Sequence, residues 1–375
     1  MDIVFTQLFC IIHAWLLPQE VKKMTNIMEL AEEIIRGKRL GRKDDLSFFK
    51  TCDIKDLTQA ADKIRAHFKG DYIDLCTIIN GRSGRCGENC KFCAQSAHNH
   101  TGCEEYSFMD EEKIIAEARA NQDEGVNRFA IVTAGRALTG QDFEKALHVY
   151  QRMHKELSIN LCASMGFISR EQFRKLKEAG VTSYHHNIET SRRNFPNICT
   201  SHSYDMKIET IKIAQEEGLC VCSGGIIGMG ETFEDRIDMA LSLQELGIRS
   251  IPINALMAIP GTPFEKNTPL SEEEILRTLA TFRFINPEAN IRLAAGRKLL
   301  SENGKKAFES GCSATITGNM LTTSGSTIKG DIKMLSEMGR KTSTRKGTAC
   351  DSSDCGCNCN CCDSANSGDH LQETC

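Results

Sequence analysis

From residue 71 to 317 the chain alternates short apolar, β-branched runs with longer stretches of helical period. The short runs fall at 72–80, 128–133, 159–164, 182–188, 219–227, 250–256, 291–295 and 314–317. Between them, apolar positions recur every three to four residues at 111–123, 141–156, 170–179, 205–217, 231–246, 272–284 and 303–309. Strands of this length, each followed by an amphipathic helix, predict parallel pairing with helices on the outside. A doubly wound sheet shows similar alternation, but eight strands is the count of a complete barrel. The fold class expected is α/β, a (β/α)8 TIM-type barrel. Residues 27–70 read as helices that cover the base of that barrel.

The two ends depart from this rhythm. Leu8 to Leu17 is apolar, yet about half the length needed to span a bilayer. It lacks a basic leading region and a small-residue cleavage site, so residues 1–26 are expected to be an extension with no part in the fold. After Lys341 the thiols Cys350, Cys355, Cys357, Cys359, Cys361, Cys362 and Cys375 lie among Asp, Asn, Ser and Gly. A segment of that composition has little to bury and is expected to be disordered without metal. Both a metallothionein-like chelating strip and an incidental thiol-rich tail fit it. The expected division is therefore 1–26, a barrel at 27–342, and a tail at 343–375.

Composition narrows the function classes. Apolar residues make up 40% of 375, enough for a sizeable core. A net charge of −4 offers no field to draw in nucleic acid or an anionic membrane, and neither is expected as a partner. Nineteen cysteines suit a disulfide-rich secreted protein only when the chain is small. Here they cluster at metal-ligand spacing, which points to a reducing cytoplasm.

The densest chemistry is Cys86-Gly-Glu-Asn-Cys90-Lys-Phe92-Cys93, spaced C-x3-C-x2-C. Three thiolates can hold three corners of a 4Fe–4S cubane and leave the fourth iron open to chelate a small molecule. A zinc ribbon wants two C-x2-C knuckles or added histidines, and His98 and His100 keep that alternative in view. The spacing, with Phe92 before the last thiol, resembles the signature of the radical S-adenosylmethionine (radical SAM) superfamily.

Further blocks extend the resemblance. Tyr184-His-His-Asn187-Ile-Glu189-Thr, Val221-Cys222-Ser-Gly-Gly-Ile-Ile-Gly228-Met-Gly230-Glu231-Thr, Pro252-Ile-Asn254, Ile291-Arg292-Leu-Ala-Ala-Gly296-Arg297 and Gly318-Asn-Met-Leu-Thr-Thr323 follow in order. Together they resemble the biotin synthase family. That resemblance implies sulfur insertion between two unactivated carbons of dethiobiotin, after hydrogen abstraction by a 5′-deoxyadenosyl radical. It implies a 4Fe–4S cluster on Cys86, Cys90 and Cys93, S-adenosylmethionine, an auxiliary iron–sulfur cluster (2Fe–2S or larger), a flavodoxin or ferredoxin-type electron donor, and a homodimer. By the same resemblance, Phe92, Asn187, Glu189, Lys207, Gly228, Gly230 and Glu231 meet the cofactor, and Asn187 and Asn254 meet the substrate. The family more often has Asn at 185, Asp at 189 and Arg at 207; this chain has His185, Glu189 and Lys207. Tyr184 and His186 read as packing residues, and Arg297 is given no role.

In the family's usual pattern, three barrel cysteines and an arginine hold a 2Fe–2S cluster that donates sulfur. Cys162, Cys222 and Arg292 match three of these positions, but the strand-two position is Ala130, which cannot ligate. Cys76, Cys162, Cys222 and Arg292 fall on strands one, three, five and seven, and alternate strands share an interior layer. Cys76 is therefore the expected replacement, with Cys199, on the loop after strand four, as the alternate. Cys220 reads as core, one layer deeper. Two rivals remain: a sister barrel of the hydrogenase maturase or methylornithine synthase type, and a metal-storage protein built on a relic barrel.

Overall fold

A computed structural model describes residues 26–318, 321 and 325–342. The expectations for residues 1–25 and for the tail lie outside the described residues, as do 319–320 and 322–323 of the Gly318 block.

Strands β1 (Tyr72–Arg82), β2 (Arg128–Thr133), β3 (Asn160–Ser164), β4 (Val181–His185), β5 (Cys220–Cys222), β6 (Gly225–Ile227), β7 (Ser250–Ala255), β8 (Asn290–Leu293) and β9 (Ala314–Ile316) are joined in parallel. Pairing of Asp74, Leu75 and Cys76 with Ala314, Thr315 and Ile316 closes the sheet on itself. This is the expected eight-staved barrel, because β5 and β6 are two halves of the fifth stave and both lie along β7. A short β10 (Lys341–Thr342) pairs with the start of β1.

The fifth stave was expected to run unbroken from 219 to 227, and it breaks at Ser223 and Gly224. The cause is close approach to β7: a Cβ on Gly224 would sit 1.9 Å from the Pro252 carbonyl oxygen. Only glycine lets the two backbones pass at that distance. The fourth stave also ends early, at His185. Beyond it the chain turns, and Glu189 takes a left-handed φ of 71°. Hydrophobic period alone does not place either break, since apolar residues resume just beyond each, at Ile226 and at Ile188.

Helices α1 (Ile27–Ile35), α2 (Ile54–Lys69), α3 (Glu111–Asp123), α4 (Gly140–Glu156), α5 (Arg170–Glu178), α6 (Phe195–Ile198), α7 (Tyr204–Glu216), α8 (Phe233–Glu245), α9 (Glu272–Ile285) and α10 (Ile328–Glu337) surround the barrel. Their starts follow from capping side chains. Ser169 with Gln172, Thr232 with Asp235, and Ser271 with Glu274 each form a reciprocal capping box. The helices α1 and α2 pack on each other and α2 packs on α9; the 3-10 turn Ser47–Lys50 between α1 and α2 also reaches α9, where Phe49 meets Phe284 edge-on at 5.2 Å. The expected helix at 303–309 is instead a 3-10 run, Ser301–Glu309, kinked by left-handed Glu302, Asn303 and Gly304.

Candidate functional site

The segment after β1 carries Cys86, Cys90 and Cys93 out at the C-terminal end of the barrel strands, where barrel enzymes build their sites. Its path is fixed by backbone bonds. Cys86 N–H donates to Gln95 O at 3.0 Å, and Ala97 N–H donates to Cys86 O at 2.8 Å. The Asn99 amide donates to Cys90 O at 3.2 Å and Cys93 O at 2.8 Å. All three thiols are half-buried and free. Burial pushes the Cys93 thiol up to about 11. Phe92 packs against the core at the foot of the loop.

Among the described residues, one His/Cys/Asp/Glu group has its ligand atoms at single-ion spacing, and it is Cys90, Cys199 and His202. The zinc alternative built on His98 and His100 is not met. His98 instead lies 3.2 Å from Gly87 O. Cys199 was expected to reach down toward the auxiliary layer; its Sγ lies 3.7 Å from Cys90 Sγ, at the first loop. The short α6 turns the chain so that the residue after it faces that loop. Two thiols that close cannot both ionise without cost, so they give up the first proton far more readily than the second.

Deep in the barrel lies a second thiol set. Cys76 on β1, Cys162 on β3 and Cys222 on β5 are 1%, 0% and 5% exposed, and Arg292 on β8 is 2% exposed. These are the first, third, fifth and seventh staves, as layer geometry requires, and the charge of each acts on the others. A cavity is lined by Asp74, Cys76, Arg128, His185, Cys222 and Arg292. Cys220, expected as plain core, is half-buried and lines it too. Ala130 pairs with Cys162 in register and puts only a methyl there. Burial raises all three thiols, Cys162 to about 11, so each keeps its proton until a metal displaces it.

Arg292 is held in place by hydrogen bonds. Its guanidinium donates to the carbonyls of Asp74 (3.2 Å) and Thr315 (3.0 Å) and to Asp74 Oδ2 (2.9 Å), while Arg128 Nε donates to the same Oδ2 at 2.8 Å. Burial works against the Asp74 carboxylate, but Arg128 and Arg292 outweigh it and hold the group at about 2. His185 is held down at about 3 by burial, Arg292 and Arg128, and is a neutral imidazole.

Above the cavity, the other expected residues gather around the broken fifth stave. Asn187 Oδ1 accepts from Gly224 N–H at 3.1 Å. Glu189 Oε1 lies 3.7 Å from Lys207 Nζ, and its Oε2 is buried with no hydrogen bond. Burial pushes the Glu189 carboxyl up while Lys207 opposes. Gly228 and Gly230 take left-handed φ values of 97° and 92°. The Glu231 carboxylate accepts from Gly228 and Met229 N–H, both at 2.7 Å, and pairs with Arg236 at 2.8 Å. Its oxygens are thus committed to shaping the glycine turn. Asn254 donates to Gly225 O and accepts from Ala295 N–H, each at 3.1 Å, which leaves one N–H and one lone pair. Tyr184 and His186 pack as expected. Arg297 forms a buried pair with Asp331 at 2.8 Å.

Sequence reading missed Asp74, Arg128, Glu88 and His202. Asp74 had a signal: Asp74 and Cys76 are two apart on one strand face, so a charge points inward beside a thiol. Glu88 and His202 meet only through the fold.

Known proteins resemble this chain in sequence and in fold. A radical SAM superfamily domain matches residues 80–243, and a Biotin and Thiamin Synthesis associated domain matches 252–341. Biotin synthase of Alkaliphilus metalliredigens is 59% identical over 314 residues, 84% of this chain and 99% of the relative. That of Clostridium beijerinckii is 60% identical over 311 residues, 83% and 98%. Crystal structures of methylornithine synthase (TM-score 0.73, 19% identity, 84% of this chain and 97% of that one) and of a maturase of the [FeFe]-hydrogenase (0.71, 18%, 87% and 77%) share the barrel. At that identity the likeness is one of fold, and the sister-barrel reading gives way to the far closer sequence match. The chain belongs to the biotin synthase family of the radical SAM superfamily.

Proposed function

We propose that this chain is a biotin synthase, a sulfurtransferase that inserts one sulfur between two unactivated carbons of dethiobiotin to close the thiophane ring. The observation that carries this reading is two thiol sets in one barrel: three on the loop above, and three in a buried layer. Cys86, Cys90 and Cys93 would hold a 4Fe–4S cluster with one iron left for S-adenosylmethionine. When bound, the two supply an oxidant able to take hydrogen from saturated carbon, which no acid–base group can.

The chain's own residues bind, orient and shield. Glycines 228 and 230 bring backbone close to a flat nucleoside. Glu189 and Lys207 present a buried carboxylate and ammonium toward the polar groups of S-adenosylmethionine, and Phe92 shapes the loop beside it. Asn187 stands between cofactor and substrate, while Asn254 keeps one donor and one acceptor for the ureido group. Cys76, Cys162 and Cys222 would hold an auxiliary cluster of more than two irons as the sulfur source. Arg292, paired with Asp74, would stand near the fourth position of that cluster. A flavodoxin or ferredoxin-type donor, a cytoplasmic setting and a homodimer complete the proposal. No helix among the described residues is long and apolar enough to cross a membrane.

The test is anaerobic reconstitution with iron and sulfide, then reduction with dethiobiotin and S-adenosylmethionine, with products followed by mass spectrometry. Biotin should form together with 5′-deoxyadenosine. Production of 5′-deoxyadenosine with dethiobiotin unchanged would contradict the assignment.

A further inference from the structure

Cys199 and His202 lie outside the two thiol sets, yet they are built into a supported site. Cys199 is 3% exposed and His202 7%. Cys90 Sγ and Cys199 Sγ are 3.7 Å apart, and Cys199 Sγ lies 3.4 Å from His202 Nδ1 and 3.8 Å from Nε2. Two thiolates on one tetrahedral zinc ion, with Zn–S of about 2.3 Å, stand ~3.8 Å apart; a thiolate and an imidazole nitrogen stand ~3.6 Å apart. The observed spacings match one ion. A multi-iron cluster would draw its ligand sulfurs farther apart, since each then binds a different iron.

The surroundings complete the pattern. The Glu88 carboxylate meets His202 Nδ1 at 2.5 Å, and is itself held by Ser201 Oγ at 2.5 Å and Arg136 Nη1 at 2.7 Å. Metal-ligating histidines commonly give one ring nitrogen to a carboxylate and the other to the metal; with Nδ1 on Glu88, the ligand nitrogen here is Nε2, 3.8 Å from Cys199 Sγ. The ring is also wedged between Phe167 and Phe195, at 5.0 and 5.6 Å. Asn89 Oδ1 accepts from Thr200 and Ser201 N–H, both at 3.0 Å, and so fixes the Cys199 loop to the Cys90 loop.

We propose that Cys90, Cys199 and His202 form a site for a single zinc-class divalent ion, oriented by Glu88, in the cluster-free chain. Because Cys90 serves both, an ion here and a 4Fe–4S cluster on the loop exclude one another. Only that exclusion rests on the cluster assignment; the site itself does not.

The test is anaerobic zinc titration of the cluster-free full chain against a chromophoric chelator. Other thiols of the chain also take zinc, so the reading is the difference between variants. Cys199→Ala and His202→Gln should each lose one tight equivalent that Cys86→Ala keeps. Glu88→Gln should weaken that equivalent about 10- to 100-fold. Retention of cluster uptake by Cys199→Ala in the absence of zinc reports that it folds, with Cys199→Ser as the variant of closer volume. Unchanged stoichiometry in both position-199 variants, or loss of the equivalent in Cys86→Ala instead, overturns the proposal. If Cys90→Ala loses the zinc equivalent yet still cleaves S-adenosylmethionine, the cluster assignment has failed and the zinc site stands.

Discussion

Asp74 accepts from two guanidiniums inside the barrel, and its charge offsets those of buried Arg292 and half-buried Arg128 beside three thiols. Removing one partner of a buried ion pair leaves an uncompensated charge, which costs about 3–5 kcal/mol. Asp74→Asn is expected to destabilise the fold by that order, read from chemical denaturation. The pH dependence has a definite sign. The folded value is near 2 against an ordinary 3.8, so the stability is present above pH 4 and is lost as pH falls through 2. A gap of that size corresponds to about 2–3 kcal/mol. Stability that stays flat across that window would show that Asp74 is not the shared anion. On the loop, Cys86→Ala, Cys90→Ala and Cys93→Ala should each abolish 5′-deoxyadenosine production, because three thiols are the fewest that hold an open-site cubane. Circular dichroism should stay native in all three variants.

At the scale of elements, the fifth stave is where sequence reading and fold part company. Eight strands were legible because apolar runs and helical stretches alternate at a regular spacing. The break at Gly224 was not, because its cause is the Pro252 carbonyl on a strand 28 residues away in the chain. The same reasoning covers the site. Cys76, Cys162 and Cys222 could be placed in one layer from strand order alone. The position of Cys199 depends on α6, four residues whose turn no periodicity announces. Glu231, which the resemblance puts at the cofactor, also shapes the turn by accepting from Gly228 and Met229 N–H, a role visible only in the fold. Gly224→Ala is expected to cost about 3 kcal/mol, since a Cβ 1.9 Å from a backbone oxygen forces the strands apart. A melting temperature equal to the parent's would mean that the two strands can separate freely.

For the whole molecule, the described barrel carries both thiol sets, and the thiol-rich residues 343–375 have little apolar surface with which to dock. Deleting 345–375 should leave biotin formation within about twofold of the full chain. The central claim is that one barrel holds two separate clusters, the lower one on Cys76, Cys162 and Cys222 with more than two irons. It is tested most directly by Mössbauer spectroscopy of the 57Fe-reconstituted Cys86→Ala/Cys90→Ala/Cys93→Ala variant, in which the upper ligands are gone. The account predicts a cubane-type signal of about four irons per chain that disappears when Cys76→Ala is added. A two-iron ferric signal, or a signal that Cys76→Ala leaves unchanged, would contradict it.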